Sequence, residues 1–398
     1  MIRSADAARF RWVVLAVFVL SSAINYLDRQ TLATLAPVLR AEFRLSNTEY
    51  GLILTAFSIT YALSAPFAGV LIDRVGLNRG ITIAVGLWSC AGIATGFTRG
   101  LGGLVGCRAA LGVAEAAGIP GAGKAIHQYL RPAERALGNA VNQAGISIGL
   151  IVAPPVATYL AVRAGWRQAF VITGVLGLLW IPVWNWASRW ASAEPAPKLD
   201  VSAGAAMLRD RRLWAFVAAN ALSMIGYSLW TNWTTLFLVE AHGLTLVQAA
   251  WYAWIPPVFA AVGGVAGGWL SLRFMQRGLE ALGARFRVCV AASALSLATA
   301  AIPLAPSAAW ASAGISLSIF AVSAFSVNMY SMPLDAFGGA RAAFAVSLLV
   351  ASYGAVQALV SPVFGRVIDL YGYAPLAIVA SLMPFAACGV LRATRAAA

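Results

Sequence analysis

Asp28 and Arg29 stand side by side in a run, residues 13–39, that is otherwise mostly Val, Leu, Ala and Ile. At the centre of a membrane helix each charge costs roughly 2.5–3.5 kcal/mol to insert on the mildest scale, and ionisable residues kept there mark ion and substrate pathways. Arg29 offers a planar, always charged fork that matches a carboxylate. Asp28 offers a group that can take and release a proton. Neighbours on a helix point about 100° apart, so the two do not form a salt bridge with each other. With Arg29 facing a cavity, Asn25 and Tyr26 lie beside it one turn back, while Asp28 turns towards neighbouring helices.

A second acid falls in the same layer. Glu115 sits near the midpoint of the run 101–129, and at a rise of about 1.5 Å per residue its depth matches that of Asp28 and Arg29. Two acids to one arginine leave a carboxylate free to take a proton. A purely structural ion pair between Arg29 and Glu115 is the alternative. Further polar residues recur in other apolar runs: Tyr61; Asn139, Gln143 and Ser147 at four-residue spacing; Tyr227 and Asn232; Asn328; Tyr353 and Gln357. Any one of them could serve an interhelical hydrogen bond. Their spread over several runs points to a hydrophilic ligand rather than to the more uniformly apolar cavity of a drug exporter.

Other chemistry finds no support. Cys90, Cys107, Cys289 and Cys388 lie singly in apolar stretches, and His127 and His242 are isolated. The cysteines read as core packing, and neither a metal nor an organic cofactor nor a catalytic constellation is expected. The proton is the coupling ion in this reading.

The elements that must position these residues follow from composition. Of 398 residues 61% are hydrophobic and only 11% charged, against about 25% charged in soluble domains, so the chain reads as an all-α integral membrane protein. Arg3, Arg9 and Arg11 before an apolar run resemble a secretory signal, but the run continues through Asp28 to Pro37, too long for a signal core. It is read as a retained first span. Apolar segments of about 20 residues place twelve spans near 12–39, 47–73, 80–98, 101–129, 134–162, 167–188, 213–240, 246–272, 286–304, 308–332, 342–369 and 373–392. The net charge of +14 could indicate a nucleic-acid partner. Instead, nineteen of the 28 Lys and Arg residues fall in alternate loops on the side of the N-terminus, six fall on the other side, and Arg29, Arg108 and Lys124 lie inside spans. This is the positive-inside bias of a multi-pass protein in a cell inner (plasma) membrane, with both termini cytoplasmic. Lipid, a small organic anion and protons are the expected partners, nucleic acid is not, and the chain is expected to act as a monomer.

One long polar connection, rich in Pro, Ser and charge, divides the spans six and six. The organisation reads as a bundle over 1–190, a cytoplasmic linker over 191–212 and a second bundle over 213–398. The halves match internally. "LSNTEYGLIL" from Leu45 corresponds to "LTLVQAAWYA" from Leu244, and the same offset carries "GVLIDRVGLNRG", Gly69 to Gly80, onto "GWLSLRFMQRG", Gly268 to Gly278. Ser46 with Glu49 and Thr245 with Gln248 predict capped helix starts. A duplicated six-span unit predicts a binding site between the halves at mid-membrane. In the first copy Gly69 is expected to allow close helix approach, Asp73 to meet a helix dipole and Arg74 to stay at the cytoplasmic surface. The second copy has Leu272 where Asp73 stands, which assigns an acid-dependent latch to the first half. "GISIGLIVAPP" puts Gly145 and Gly149 on one helix face, with Pro154 and Pro155 as a kink, and reads as packing rather than binding.

Set between spans two and three of twelve, "GVLIDRVGLNRG" resembles the signature loop of the major facilitator superfamily, whose fold is two pseudo-symmetric six-helix bundles. "NYLDRQ", "EAAGIPGAGKAIHQYLRPAERALGNAVNQAGISIGLIVAPP" and "YSLWTNWTTLFLVEAHGLTLVQAAWYAWIPP" together resemble its anion:cation symporter family, with the greatest similarity to bacterial hexuronate transporters. The resemblance implies proton-coupled uptake of a sugar acid. It places the family's Asn-Tyr-x-Asp-Arg motif on Asn25, Tyr26, Asp28 and Arg29, with the arginine as carboxylate anchor and the aspartate as a titrating group. It places the coupling glutamate on Glu115, though Ala114 replaces the preceding glycine, and it maps a cavity tyrosine to Tyr61 and an amide to Gln143. Galactonate relatives carry an asparagine where this chain has Ala355, which argues against galactonate and leaves Gln357 or Tyr353 to substitute. Tyr26, Arg29, Tyr61, Gln143, Asn232, Asn328 and Gln357 are therefore the substrate-binding set, Asp28 and Glu115 the proton-coupling pair, and Asp73 and Arg74 the gating residues. A symporter or exchanger of another organic anion, an aldonate, monocarboxylate or aromatic acid, is the alternative. A non-transporting sensor would be expected to carry an extra cytoplasmic domain or long tail, and the sequence ends at Ala398 soon after span twelve.

Overall fold

Lipid offers no water to satisfy backbone groups, whereas a helix satisfies them within itself. Every regular element among the described residues is accordingly helical. The computed structural model describes the backbone of residues 4–189, 207–337 and 339–395; side chains at 4–9, 66, 73, 136, 339–343 and 394–395 lie outside that description. Most of the expected linker, 190–206, also lies outside the described residues. The first helices are α1 (Ser4–Phe43), α2 (Asn47–Val75), α3 (Leu77–Thr95), α4 (Leu101–Glu115), α5 (Gly118–Tyr129), α6 (Arg135–Ala164) and α7 (Trp166–Ser188). They are followed by α8 (Arg211–Ser223), α9 (Ile225–His242), α10 (Leu246–Ala253), α11 (Ile255–Gln276), α12 (Ala281–Ser296), α13 (Ala308–Phe337), α14 (Gly339–Tyr371) and α15 (Ala374–Arg395). Short 3-10 turns occupy Pro132–Glu134 and Leu297–Leu304.

Eleven helical runs among the described residues are long and apolar enough to cross a membrane. The second expected span coincides with α2, a helix of 29 residues. Three expected spans are each divided into two helices. The break between α4 and α5 at Ala116–Ala117 precedes Pro120, which has no N–H to return to the Ala116 carbonyl. The break between α10 and α11 at Trp254 precedes Pro256 and Pro257, and the Tyr252 carbonyl so released accepts a hydrogen bond from Ser312 Oγ at 3.2 Å. The break at Met224 has no proline beside it.

The helices group into two compact units, Met1–Leu45 with Leu52–Lys198, and Ser46–Gly51 with Leu199–Ala398. In the first, α1 packs on α6 and α7, and α3 packs on α7 and α4. Its core is aromatic: Phe18, Trp88, Trp184 and Tyr129 are buried, Trp180 stacks on Trp184 at 5.3 Å, and the Trp180 indole donates to the Val17 carbonyl at 2.6 Å. Gly145 and Gly149 bring α6 onto α1. A Cβ at Gly145 would strike Val19, and one at Gly149 would strike the Ala23 carbonyl and come within 3.0 Å of Tyr26 Cβ. Their expected packing role thus includes holding the helix turn that carries Tyr26.

In the second unit α13 lies against α11 and α12, over a core of Phe216, Phe325, Met329 and Leu349. Cys289 and Cys388 are buried in that core, but Cys90 is exposed and Cys107 half-buried, so core packing holds for only two of the four cysteines. Both expected helix starts form as reciprocal capping boxes. Glu49 N–H donates to Ser46 Oγ at 3.1 Å while Ser46 N–H donates to Glu49 Oε2 at 2.8 Å. Gln248 N–H donates to Thr245 Oγ1 at 3.3 Å while Thr245 N–H donates to Gln248 Oε1 at 2.9 Å. At the start of α8, Asp210 accepts from Arg212 N–H at 2.8 Å, and the Arg212 side chain holds the Asp210 carboxyl below its usual range.

The first turn of α2 belongs to the second unit for a local reason. The leading N–H groups of a helix lack partners within it and favour a negative charge. Asp369 in the last turn of α14 supplies one, accepting from Asn47 N–H at 3.0 Å, Thr48 N–H at 2.9 Å and Thr48 Oγ1 at 2.8 Å. Gly51 against the Ser361 carbonyl and Gly365 against that of Asn47 leave no room for a Cβ. Tyr50 donates its hydroxyl to the Asn232 carbonyl at 3.0 Å and meets Trp233 edge to face.

The α2–α3 connection differs from expectation in one respect. A Cβ on Gly69 would meet only Pro120 Cβ at 3.8 Å, an ordinary contact, so Gly69 is not a close-approach position. The conformationally demanding residue is Gly76, at φ +84°, which turns the chain between the helices. From α5, Lys124 Nζ donates to the Ile72 carbonyl at 3.2 Å and the Tyr129 hydroxyl to Asn78 Oδ1 at 2.8 Å, so α5 anchors this loop. Arg74 is exposed, as expected, whereas the side chain of Asp73 lies outside the described residues. In the second unit, where Leu272 stands in place of an acid, an ion pair joins α12 to α13 instead, Arg285 Nε to Asp335 Oδ2 at 2.5 Å.

Candidate functional site

Arg29 meets Glu115 within the first unit. Its Nε and Nη2 both donate to Glu115 Oε2, at 3.0 and 2.7 Å. The arginine side chain is 25% exposed and that of the glutamate 0%. Both follow from local structure. Arg29 lies on the α1 face that also carries Tyr26, three residues earlier. Glu115 is the last residue of α4, fixed where Pro120 ends the helix.

Three rings surround the guanidinium: its central carbon lies 4.8 Å from the Tyr26 ring centre, 4.7 Å from Phe57 and 5.1 Å from Tyr61. Phe57 and Tyr61 stack on each other at 5.6 Å, one turn apart on α2. Such faces attract a cation by about 2 kcal/mol when water is excluded. They also fix the plane of the fork and leave its edge as the approach for an anion.

Asp28 takes the other direction, as its position one residue earlier requires. It is 3% exposed, with the Thr173 hydroxyl as its hydrogen-bonding neighbour and Glu115 and Arg108 as its charged ones. Glu115 has Asn25 as a further hydrogen-bonding neighbour beside Arg29. Two buried carboxylates share this layer with a guanidinium that pairs with only one of them. Arg108, 3% exposed, lies two turns before Glu115 on the same face of α4.

The structure therefore brings Tyr26, Asp28, Arg29, Tyr61 and Glu115 together. It adds Phe57, Arg108 and Thr173, which sequence reasoning gave no role. Phe57 was findable as the residue one turn from Tyr61, and Arg108 from its seven-residue spacing to Glu115; no sequence signal points to Thr173. Gln143 is exposed on α6, where its neighbour Asn142 accepts from Ser22 Oγ at 2.8 Å, and Asn139 spends its amide on the Arg135 carbonyl at 3.2 Å.

Two expected ligand residues of the second unit are placed otherwise. Asn328, 0% exposed, donates to the Gly267 and Ala324 carbonyls at 3.1 and 2.9 Å and ties α13 to α11. Asn232 donates to the Ser228 carbonyl at 2.9 Å and is buried. An amide inside an apolar bundle takes the nearest carbonyl, because the alternative is an unsatisfied polar group. Both amide nitrogens are thus taken up by helix carbonyls, while Asn328 Oδ1 makes no hydrogen bond among the described residues. Gln357 is half-buried on α14, the Tyr227 and Tyr353 rings meet at 6.0 Å, and Asn220 donates to the Leu349 carbonyl at 2.8 Å and Ser352 Oγ at 3.0 Å.

The ring cage depends on close approach of α4 to α2. A Cβ at Gly112 would overlap Thr60 Oγ1 and the Phe57 carbonyl and lie 3.0 Å from the Tyr61 nitrogen. Backbone cannot yield as a side-chain end can, so Gly112→Ala is expected to cost about 1–3 kcal/mol. It should lower the melting temperature of the purified protein and weaken binding by moving Phe57 and Tyr61 off Arg29. An unchanged melting curve would show that the α2–α4 contact is not as tight as drawn.

The chain is 28% identical over 389 residues to the hexuronate transporter of Escherichia coli K12, covering 92% of this chain and 89% of that protein. It is 29% identical over 287 residues to the galacturonate transporter of Dickeya chrysanthemi, covering 67% and 83%. It is also 29% identical over 385 residues to a probable sulfoacetate transporter of Cupriavidus necator, covering 91% and 88%. A solved structure of a bacterial homolog of the human lysosomal transporter Spinster, inward-facing and unoccupied, shares the fold with a TM-score of 0.76 at 21% identity over 97% of this chain and 96% of that one. The family model for the Major Facilitator Superfamily matches residues 18–349. With eleven membrane-length helical runs in two units and an arginine–carboxylate pair inside the first, the chain belongs to the Major Facilitator Superfamily, a family of transporters and not of enzymes.

Proposed function

We propose that this chain carries out proton-coupled uptake of a sugar acid of the hexuronate type by alternating access across a cell inner membrane, with both termini cytoplasmic. The observation that carries the reading is the Arg29–Glu115 pair inside its aromatic cage. Arg29 has one fork, and Glu115 occupies it. A proton on Glu115 removes that carboxylate's claim, and the substrate's carboxylate takes its place on the same guanidinium. Proton and anion then load together, because either alone leaves an unpaired buried charge, which costs several kcal/mol. Asp28, buried and without an arginine of its own in salt-bridge contact among the described residues, is the second proton acceptor of the assembly. The names of the hexuronate and galacturonate relatives support a sugar acid as cargo.

A second reading is symport or exchange of another organic anion such as an aldonate, a monocarboxylate or an aromatic acid; the sulfoacetate relative, whose named cargo is a dianion, supports only that cargo in this group extends beyond sugar acids. Uptake into proteoliposomes separates the two. Labelled glucuronate is expected to accumulate when the outside is made acidic, with competition by galacturonate but not by glucose or acetate. Accumulation indifferent to the pH gradient would remove proton coupling, and competition by acetate would move the assignment to a monocarboxylate.

A further inference from the structure

A charge census sharpens that reading, on which the following inference rests. More than four residues from either end of an expected span three cations occur, Arg29, Arg108 and Lys124; Arg135, Arg167, Arg287, Arg366 and Arg392 stand at span ends. Lys124 gives its ammonium to the Ile72 carbonyl at the signature loop. Arg108 is 3% exposed and has Asp28 as an electrostatic neighbour. Only Arg29 combines depth with an accessible side chain, at 25% exposure. In the second half no Lys or Arg occurs over 213–272, 288–340, 342–365 or 367–391. The middle of each expected span of that half therefore offers polar and aromatic side chains but no cation.

We propose that the site admits organic anions bearing one negative charge and rejects the dianion of the same skeleton. The first carboxylate takes the edge of the Arg29 fork. A second carboxylate on the far end of a six-carbon acid lies several bonds away, beyond reach of the same guanidinium, and would be desolvated without a counter-charge. Neutral hydroxyls at that end meet no such penalty. The substrate class narrows to sugar acids charged at one end, and hexarates, sugar phosphates and dicarboxylates fall outside it.

The test uses one carbon skeleton. Competition against labelled glucuronate in proteoliposomes of the full chain near pH 7, where both carboxyls of a hexarate are ionised, compares glucuronate, glucarate and the mono-amide of glucarate. Glucuronate and the mono-amide are expected to compete, with glucarate weaker by at least about tenfold. Equal competition by glucarate and its mono-amide overturns the proposal, and so does failure of both, since charge would then not be the discriminator. A second measurement holds if uronates are not the cargo at all: thermal stabilisation of the purified protein by matched mono- and dicarboxylates of sugar, aromatic and short-chain acids. Stabilisation confined to the monoanion of each pair supports the charge rule independently of the sugar-acid reading. A dianion that stabilises as strongly as its monoanionic partner overturns it.

Discussion

Arg29→Ala is expected to abolish recognition of the anionic substrate, with a loss on the order of 10²–10³-fold in affinity, because removing one partner of a buried charged pair costs about 3–5 kcal/mol. Arg29→Lys should restore little. A single ammonium cannot reproduce the two donors that Nε and Nη2 direct at one oxygen, nor lie flat among the Tyr26, Phe57 and Tyr61 rings. The single alanine variant also leaves Glu115 buried without its partner, so its loss of binding could reflect misfolding. The double variant Arg29→Ala/Glu115→Gln removes both charges and should recover the melting temperature without recovering binding. Calorimetry and thermal shift read both quantities. Near wild-type affinity in Arg29→Ala, or in the double variant, would refute the role of Arg29 as anchor.

Glu115→Gln separates coupling from binding. The amide resembles the protonated acid, so the loaded carrier should still change face while the proton step is lost. A pH gradient of one unit supplies about 1.4 kcal/mol per coupled proton, roughly a tenfold accumulation. Glu115→Gln is expected to lose that accumulation yet keep exchange of labelled for unlabelled substrate. Asp28→Asn should impair net uptake and reduce affinity somewhat, because Asp28 adjoins the anchoring arginine in sequence and shares an electrostatic cluster with Glu115 and Arg108. The two acids should titrate as a coupled set, without a pKa belonging to either alone. Gradient-driven uptake and counterflow, run side by side on both variants, provide the check. Wild-type accumulation in Glu115→Gln would make Glu115 a structural partner of Arg29 and nothing more.

Much of this was legible in the chain before any coordinates. Membrane location follows from composition, and Asp28, Arg29 and Glu115 stand out because charge in an apolar run is costly wherever the run packs. Both capping boxes were readable too, since a Ser or Thr followed three residues later by Glu or Gln acts within one helical turn. These are local signals, set by the solvent and by near neighbours in sequence. The break after Glu115 was missed although Pro120 marks it, because hydropathy counts apolar residues and is blind to a missing N–H.

Tertiary structure decided which polar residues are spent on packing. Asn328 reads in sequence as a candidate ligand residue, but its amide reaches the Gly267 carbonyl only because α13 packs on α11, whereas Asn232 and Asn139 turn to carbonyls one turn back on their own helices. The cage around Arg29 was legible only in part: Tyr26 follows from helix periodicity and Tyr61 from the resemblance, but that Phe57 joins them, with α2 held close because Gly112 lacks a Cβ, appears only in the fold. The same holds for the first turn of α2, which Asp369, more than 300 residues later, caps through two N–H groups and a hydroxyl. A sequence states which side chains carry charge or hydrogen-bonding groups, and the cost of burying them says that each needs a partner. Which partner each one gets depends on helix packing through contacts of a few ångströms between residues distant in the chain, and that only the fold determines.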